Sequence, residues 1–325
     1  MPSSEPWNPG TAGPASLPEN AAGMLARLQQ ILTLGALTGV VIWLWVCLQQ
    51  GRPGWALFGA LALLGGHAFV LGIEFLLLAA VHGADPTPRA RAAQLLGAWW
   101  GEVLHAPRVF CWRQPFRHAA YPDHLPTNAQ GRRGVLLVHG YVCNRGLWNR
   151  WLQRLRQQGV PVVAVTMEPP FGSIDAGVAA IEAGMRRLEA CTGLAPVIVG
   201  HSMGGLALRR WWAEHGDDAR VHHAVTIGTP HQGTWLARWG TTPNAREMRR
   251  HSPWLAALAS HEPAGRHRRF TCFYSHCDNI VFPAATATLP GADNRHLPGV
   301  AHVHMVDHPA PWQAVQALLQ APKAR

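Results

Sequence analysis

The apolar positions divide the chain into two unlike parts. From Ile31 to Leu48 the sequence ILTLGALTGVVIWLWVCL gives 18 residues without a charge, enough to cross a bilayer at the short end of the range. A second apolar stretch, Trp55 to Val81, is interrupted only by His67 and Glu74. The turn between them, QQGRPG, is short and rich in helix breakers, so the pattern predicts a helical hairpin. Trp43, Trp45 and Trp55 gather toward its turn, where amphipathic rings favour the membrane interface. Gly35 and Gly39 form a G-x-x-x-G through which the second helix is expected to approach. His67 and Glu74 share a face, about 10 Å apart along the axis. They are expected to face the first helix rather than bond each other, and to have no catalytic role. A cleaved signal peptide is the rival for the first segment, but no small-residue cleavage site follows Cys47. A buried soluble helix is the rival for the second, because an unpaired carboxylate in lipid is costly.

After residue 131 the pattern changes to short apolar runs alternating with helical spacing, the order that a parallel sheet covered by helices requires. GVLLVHG (134–140) reads as a buried strand and Trp148 to Gln158 as a helix. Val160 to Met167 is the next strand, and Ile174 to Cys191 a helix with Asp175 and Glu182 near its start. Strands follow at Pro196 to Gly200, Val221 to Ile227, Phe270 to Tyr274 and Arg295 to Pro298. The expected organisation is a disordered tail at 1–27, a hairpin at 28–83 (spans 31–48 and 55–81), a linker at 84–131, and an α/β domain at 132–325. The linker's AAQLLGAWWGEVLHAPRVFCWRQP, with paired tryptophans and few charges, suits either the membrane surface or the face of the α/β domain.

The chemistry concentrates in PVIVGHSMGG (196–205), which holds a G-x-S-x-G at Gly200, Ser202 and Gly204 between an apolar strand and a run of helix formers. A sharp strand-to-helix turn at a serine needs neighbours without bulky side chains, which Gly200, Gly204 and Gly205 supply. The helix N-terminus then lies where an oxyanion would develop. Upstream, the strand ending in His139-Gly140 leads into YVCNRGLW and has the form of an oxyanion loop. Its Tyr141 N–H and the Met203 N–H after the serine are the expected donors. A base and an acid belong at the ends of later strands. SHCDNIVFP places Asp278 just after one strand, and GVAHVHMVDHP places His302 after another. Asp293 and Asp307 are alternative acids, and His304 the alternative base.

With VHGY (138–141), GHSMGG (200–205), GTPHQGT (228–234), and the pair SHCDNIV with GVAHVHMV in this order, the chain from about 132 to 320 resembles the α/β-hydrolases of the bacterial lipase and esterase type. The resemblance implies an α/β-hydrolase fold, a mostly parallel sheet with helices on both faces, here preceded by the hairpin. It implies hydrolysis of carboxylic esters without a cofactor. Ser202 would be the nucleophile, His302 the general base and acid, and Asp278 the group that orients His302, with Tyr141 and Met203 as oxyanion donors. His231 and Gly233 match the family's turn near the active site but supply no triad member. The Trp-rich stretch at about 235–262 stands where lipases carry lid or cap helices.

Other classes are weighed against this one. HVHMVDH departs by one residue from a metallo-β-lactamase signature, and neither histidine nor carboxylate follows His308, so no metal is assigned. Acyltransferases and thioesterases use the same triad, and a non-catalytic membrane adaptor could keep the fold. The formal charge is +10 with Lys323 the only lysine. The arginines are scattered, which disfavours nucleic acid and suits anionic lipid. Cys272 and Cys277 are near enough in sequence to pair, but no framework spacing links the six cysteines. Expected partners are a bilayer and a lipid or acyl-ester substrate. Arg27, Arg89 and Arg91 flank the outer ends of the hairpin against Arg52 in its turn. The positive-inside rule therefore predicts a two-span protein of a bacterial inner membrane with its hydrolase domain in the cytoplasm.

Overall fold

The computed structural model describes residues 23–320, so the expected disorder of the opening segment falls largely outside the described residues. Two long helices come first, α1 (Met24–Gln49) and α2 (Pro53–Ala80). α1 starts ahead of the expected span because Leu25, Ala26 and Gln29 are buried against the following domain. Most of the hairpin surface is exposed and apolar, with Ile31 68%, Leu57 62% and Phe69 73% exposed. Both helices are long and apolar enough to cross a membrane.

The seam between them differs from the expected one. Gly35 and Gly39 have no atom within 4 Å of an added Cβ. The contact runs instead through Val40 and Cys47 of α1 and Ala56, Gly59 and Ala60 of α2, the buried positions of the free hairpin. Gly59 receives the Trp43 indole, whose Nε1 donates to the Trp55 carbonyl at 2.9 Å. At about 100° per residue, Gly35 and Gly39 lie roughly 80–140° round the helix from Val40 and Cys47.

His67 and Glu74 do not face α1 either. His67 Nε2 hydrogen-bonds the Val103 carbonyl at 3.0 Å, on α3 (Ala92–Arg108), and Trp99 of α3 donates to the Ala68 carbonyl at 2.9 Å. Glu74 reaches Asn279 of the α/β domain at 2.6 Å. A polar side chain in an apolar setting is stable where it finds a hydrogen-bond partner. α3 and the domain offer partners, whereas the seam with α1 is apolar. α3 lies on the α/β domain, burying Ala98, Glu102, Val103 and His105, and leaves Leu96, Trp100 and Leu104 exposed. It continues through a π-helical turn at Val109–Arg113 into α4 (Gln114–Arg117).

The remaining residues form six parallel strands in the order β2-β1-β3-β4-β5-β6. The elements run β1 (Val135–Val138), α5 (Asn149–Gln157), β2 (Val162–Ala164), α6 (Val178–Thr192), β3 (Val197–His201), α7 (Met203–His215) and β4 (His223–Ile227). After β4 come α8 (Pro243–Glu247), α9 (Pro253–Ser260), β5 (Phe270–Tyr274), β6 (Asp293–His296) and α10 (Pro309–Gln320). Successive strand residues point to opposite faces. Leu136, Val138 and Ile198 accordingly pack with Ile181, Met185 and Trp211 of α6 and α7, and Val135, Leu137 and Val199 with Trp151, Leu155 and Val315 of α5 and α10. Both faces are covered, and the strands are apolar along their length for that reason. The expected strand at 160–167 shrinks to three residues because β2 lies at the sheet's edge.

The stretch after β4 is anchored to the body. Thr234 Oγ1 donates to the Ile280 carbonyl at 2.6 Å, Glu247 accepts from Ser173 Oγ and the Ile174 N–H at 2.7 Å each, and α9 buries Leu255 and Leu258. All six cysteines are free, so Cys272 and Cys277 are separate buried thiols.

Candidate active site

Ser202 makes the turn between β3 and α7 alone, at φ 54° and ψ −129°. A residue with a side chain pays roughly 1–3 kcal/mol for such a conformation, so its surroundings must impose it. The Ser202 N–H donates to the Ile227 carbonyl on β4 at 2.8 Å. A Cβ on Gly200 would come within 2.6 Å of the Gly205 nitrogen, and Cβ atoms on Gly204 and Gly205 would strike the Val138 carbonyl and the Thr229 side chain. Strand, turn and helix thus touch backbone to backbone, which only glycines allow.

The loop after β1 lies directly on the serine. A Cβ at Gly140 would sit 2.7 Å from Ser202 Cβ and 3.0 Å from the His201 carbonyl oxygen. His139 fixes this loop from beneath, a role the sequence did not suggest. Its Nε2 accepts the Met167 N–H at 2.9 Å, which leaves Nδ1 to donate to the Gly140 carbonyl at 2.9 Å. Burial pushes His139 down to about 4, so it is neutral and holds this tautomer. Tyr141 comes next, its hydroxyl 3.3 Å from Thr242 Oγ1, and then Val142 at φ 54°. Met203 is the first residue of α7, so its N–H has no partner within the helix. Tyr141 thus follows the glycine packed against Ser202, and Met203 follows Ser202 in the chain.

Asp278 and His302 meet on the same end of the sheet. His302 Nδ1 lies 2.9 Å from Asp278 Oδ2, and both residues are buried. The other carboxylate oxygen, Oδ1, accepts the N–H groups of Ile280 and Val281 at 2.9 and 2.8 Å. Gly228, at φ 57°, gives this pair room, since a Cβ there would lie 3.0 Å from Asp278 Oδ2 and 3.1 Å from His302 Nδ1. His201, adjacent to Ser202, approaches the His302 carbonyl to 3.3 Å, with ring centroids 4.7 Å apart. Among the described residues Ser202 Oγ has no hydrogen-bond partner; such bonds often tighten only once substrate is bound.

Burial pushes His302 down, but the carboxylates of Asp278, then Glu102 and Glu74, more than offset it, so its pKa is raised above the ordinary 6.5. His201 is held well below that value by burial and by the charge of His302. The alternatives lie elsewhere. His304 stacks on His105 at 5.0 Å, Asp307 pairs with His105 and Arg113 at 3.0 Å, and Asp293 is an exposed partner of Arg295. His231 is a support, with Nε2 3.0 Å from Thr226 Oγ1 and its carbonyl accepting from Arg209 at 3.0 Å. Among the described residues no three His, Cys, Asp or Glu side chains gather to hold a metal ion.

Three further side chains support the site through partners far away in the sequence. Asn279 Oδ1 accepts the His302 N–H at 3.2 Å, Glu102 accepts the N–H groups of Val303 and His304 at 2.9 and 3.0 Å, and Gln29 donates to the Val142 carbonyl at 3.3 Å. A lone carboxylate on an apolar, Trp-rich helix was the available hint for Glu102.

No protein-family model and no curated protein matches the sequence. Among solved structures the chain is similar to the mature form of the Bacillus licheniformis lipase BlEst2, at 16% identity and TM-score 0.52, over 60% of this chain and 96% of that one. It is also similar to Aspergillus fumigatus lipase B, at 20% identity and TM-score 0.50, over 62% of this chain and 57% of the fungal one. At these identities the likeness is one of fold: the protein has the α/β-hydrolase fold of these lipases, with two long apolar helices placed before it.

Proposed function

We propose that the protein is a membrane-anchored serine hydrolase that cleaves carboxylic esters of acyl or lipid substrates through an acyl-enzyme. The observation that carries this reading is the buried Asp278–His302 pair, 2.9 Å apart, with the His302 ring against His201, the neighbour of a serine strained at φ 54°. Ser202 Oγ attacks the ester carbonyl while His302 Nε2 takes its proton, and Asp278 stabilises the imidazolium. The Tyr141 and Met203 N–H groups receive the oxyanion. As the tetrahedral intermediate collapses, His302 returns the proton to the departing alkoxide. Water, deprotonated by His302, then attacks the acyl-enzyme and releases the acid and the free serine.

The anchoring follows from lengths. The hairpin helices are 26 and 28 residues long, or ~40 Å each, which exceeds the ~30 Å thickness of a hydrocarbon core. Leu96, Trp100 and Leu104 on α3, with Trp112 and Phe116 after it, extend the exposed apolar surface. Such continuous apolar area suits a lipid surface. The arginine distribution supports placing the hydrolase domain on the cytoplasmic face of a bacterial inner membrane. A reporter fused after Arg325 should be active only when it is a cytoplasmic one; periplasmic activity would reverse the orientation.

The enzymatic reading is tested with the full chain in detergent. A fluorophosphonate probe should label it, and p-nitrophenyl esters should be hydrolysed, long acyl chains being favoured if the bilayer supplies the substrate. Adding an alcohol acceptor and finding new ester instead of free acid would make it an acyltransferase. Folded protein that neither labels nor turns over would leave a non-catalytic membrane adaptor.

A further inference from the structure

We infer that Glu74 of the hairpin and Glu102 of α3 are positioning residues for His302, so that the membrane-facing helices form part of the support for the base. This rests on the reading of Ser202, His302 and Asp278 given above.

The described contacts form two short chains that converge on one loop. Glu74 Oε2 accepts from Asn279 Nδ2 at 2.6 Å, and Asn279 Oδ1 accepts the His302 backbone N–H at 3.2 Å. Because Asn279 directly follows Asp278, the same link bears on both members of the pair. Glu102 approaches from the other side, its two oxygens accepting the N–H groups of Val303 and His304, the residues next after His302. Three consecutive N–H groups, 302 to 304, are thus each bound by a side chain outside their own loop.

The α/β domain's own hold on this loop includes the bonds of the Gly299 and Val300 N–H groups to His276 Nε2 and Ser275 Oγ, at 3.3 and 3.4 Å, and the approach of His201 to the His302 carbonyl; Glu74 and Glu102 add a hold from the helices before the domain. Residues 299–303 are irregular and follow β6, the sheet's exposed edge strand. Apolar packing joins the same parts, with Phe75 and Leu78 of α2 and Ala98 of α3 in one cluster with Cys277, Phe282 and Ala301. A carboxylate is a costly choice for an apolar helix unless something requires it. Glu102 is 1% exposed, and although burial raises its pKa, each oxygen accepts an N–H, an arrangement that fits the carboxylate. The charged and titratable groups facing His302 are Asp278, Glu102 and Glu74, with His201 against its ring. A small misplacement of a base costs catalysis far more than it costs substrate binding.

The test uses the full chain in detergent with p-nitrophenyl butyrate, and rates are expressed per active site titrated by a fluorophosphonate. Glu74→Ala should lower kcat about tenfold with KM little changed. Glu74→Gln should recover most of the loss, because its Oε1 can still accept from Asn279 Nδ2. Glu102→Gln removes a charge beside His302 and turns an amide N–H toward a backbone N–H. It should lower kcat and move the acidic limb of kcat/KM to lower pH, which a merely structural support would not do. Unchanged kcat in Glu74→Ala, or a tenfold loss in Glu74→Gln as well, would overturn the inference, as would an unmoved acidic limb in folded Glu102→Gln. If Glu102→Gln does not fold, the Glu74 pair decides alone. Failure of the underlying serine-hydrolase reading is recognised separately, as absence of labelling in the folded wild type.

Discussion

Ser202→Ala should abolish fluorophosphonate labelling and lower kcat for p-nitrophenyl esters by roughly 10⁴- to 10⁶-fold, while the protein stays folded. No other described hydroxyl occupies a comparable place, on a turn whose backbone is fixed from three directions: the Ile227 carbonyl, the Gly140 loop, and the start of α7. Removing Oγ leaves those constraints intact, so the oxyanion donors persist and a weak background rate remains. The elbow also predicts a stability effect of opposite sign. Ser202 sits at φ 54°, ψ −129°, where only glycine is comfortable. Ser202→Gly should therefore be as inactive as Ser202→Ala but melt at a higher temperature, by an amount reflecting about 1 kcal/mol of relieved strain. Retained labelling in Ser202→Ala would remove the serine from the mechanism, and equal melting of the two variants would remove the strain argument.

The site could be read from sequence where its signals are local. Gly200, Ser202, Gly204 and Gly205 lie within six residues because one backbone turn requires them all, and Gly140 follows its strand directly. Asp278 and His302 lie far from Ser202 in the chain but each sits in a loop just after a strand, so chain order indicated them. The supports are different in kind. Glu74 and Asn279 are 205 positions apart and Glu102 and Val303 are 201 apart, and no periodicity encodes such pairs. Glu74 stands out in the sequence as a carboxylate in an apolar stretch, but nothing local indicates its partner. The hairpin seam misled for a similar reason. G-x-x-x-G states that close approach is possible on one face, whereas the face used was set by where Trp43 fits against Gly59. The strand β6 lies two residues earlier than expected because Asp293–His296 is polar and mostly exposed, and carries no apolar pattern to set its ends.

Asp278→Asn should lower kcat by about 10⁴-fold with little effect on substrate binding or fold, because it reverses the hydrogen-bonding sense of His302. Asp278 Oδ1 is committed to the N–H groups of Ile280 and Val281, and Oδ2 faces His302 Nδ1. An asparagine would keep its single oxygen on the two backbone donors, which turns its NH₂ toward Nδ1. The imidazole must then accept at Nδ1 and carry its proton on Nε2, facing Ser202, where it cannot act as a base. The pH profile gives the second readout. His302 acts as base only when neutral, and its pKa is raised above the ordinary 6.5 chiefly by Asp278, against the effect of burial. In the wild type, kcat/KM should therefore fall as pH drops through a value above 6.5 and remain at its plateau on the alkaline side of it. Without the carboxylate, burial dominates, and the residual activity of Asp278→Asn should keep its plateau to a lower pH. The two readouts separate an orienting acid from a structural one: a residue that only shaped the loop would reduce the amount of active protein without moving the limb. A wild-type limb below 6.5, or an Asn variant whose limb does not shift, would show that Asp278 does not set the ionisation of His302.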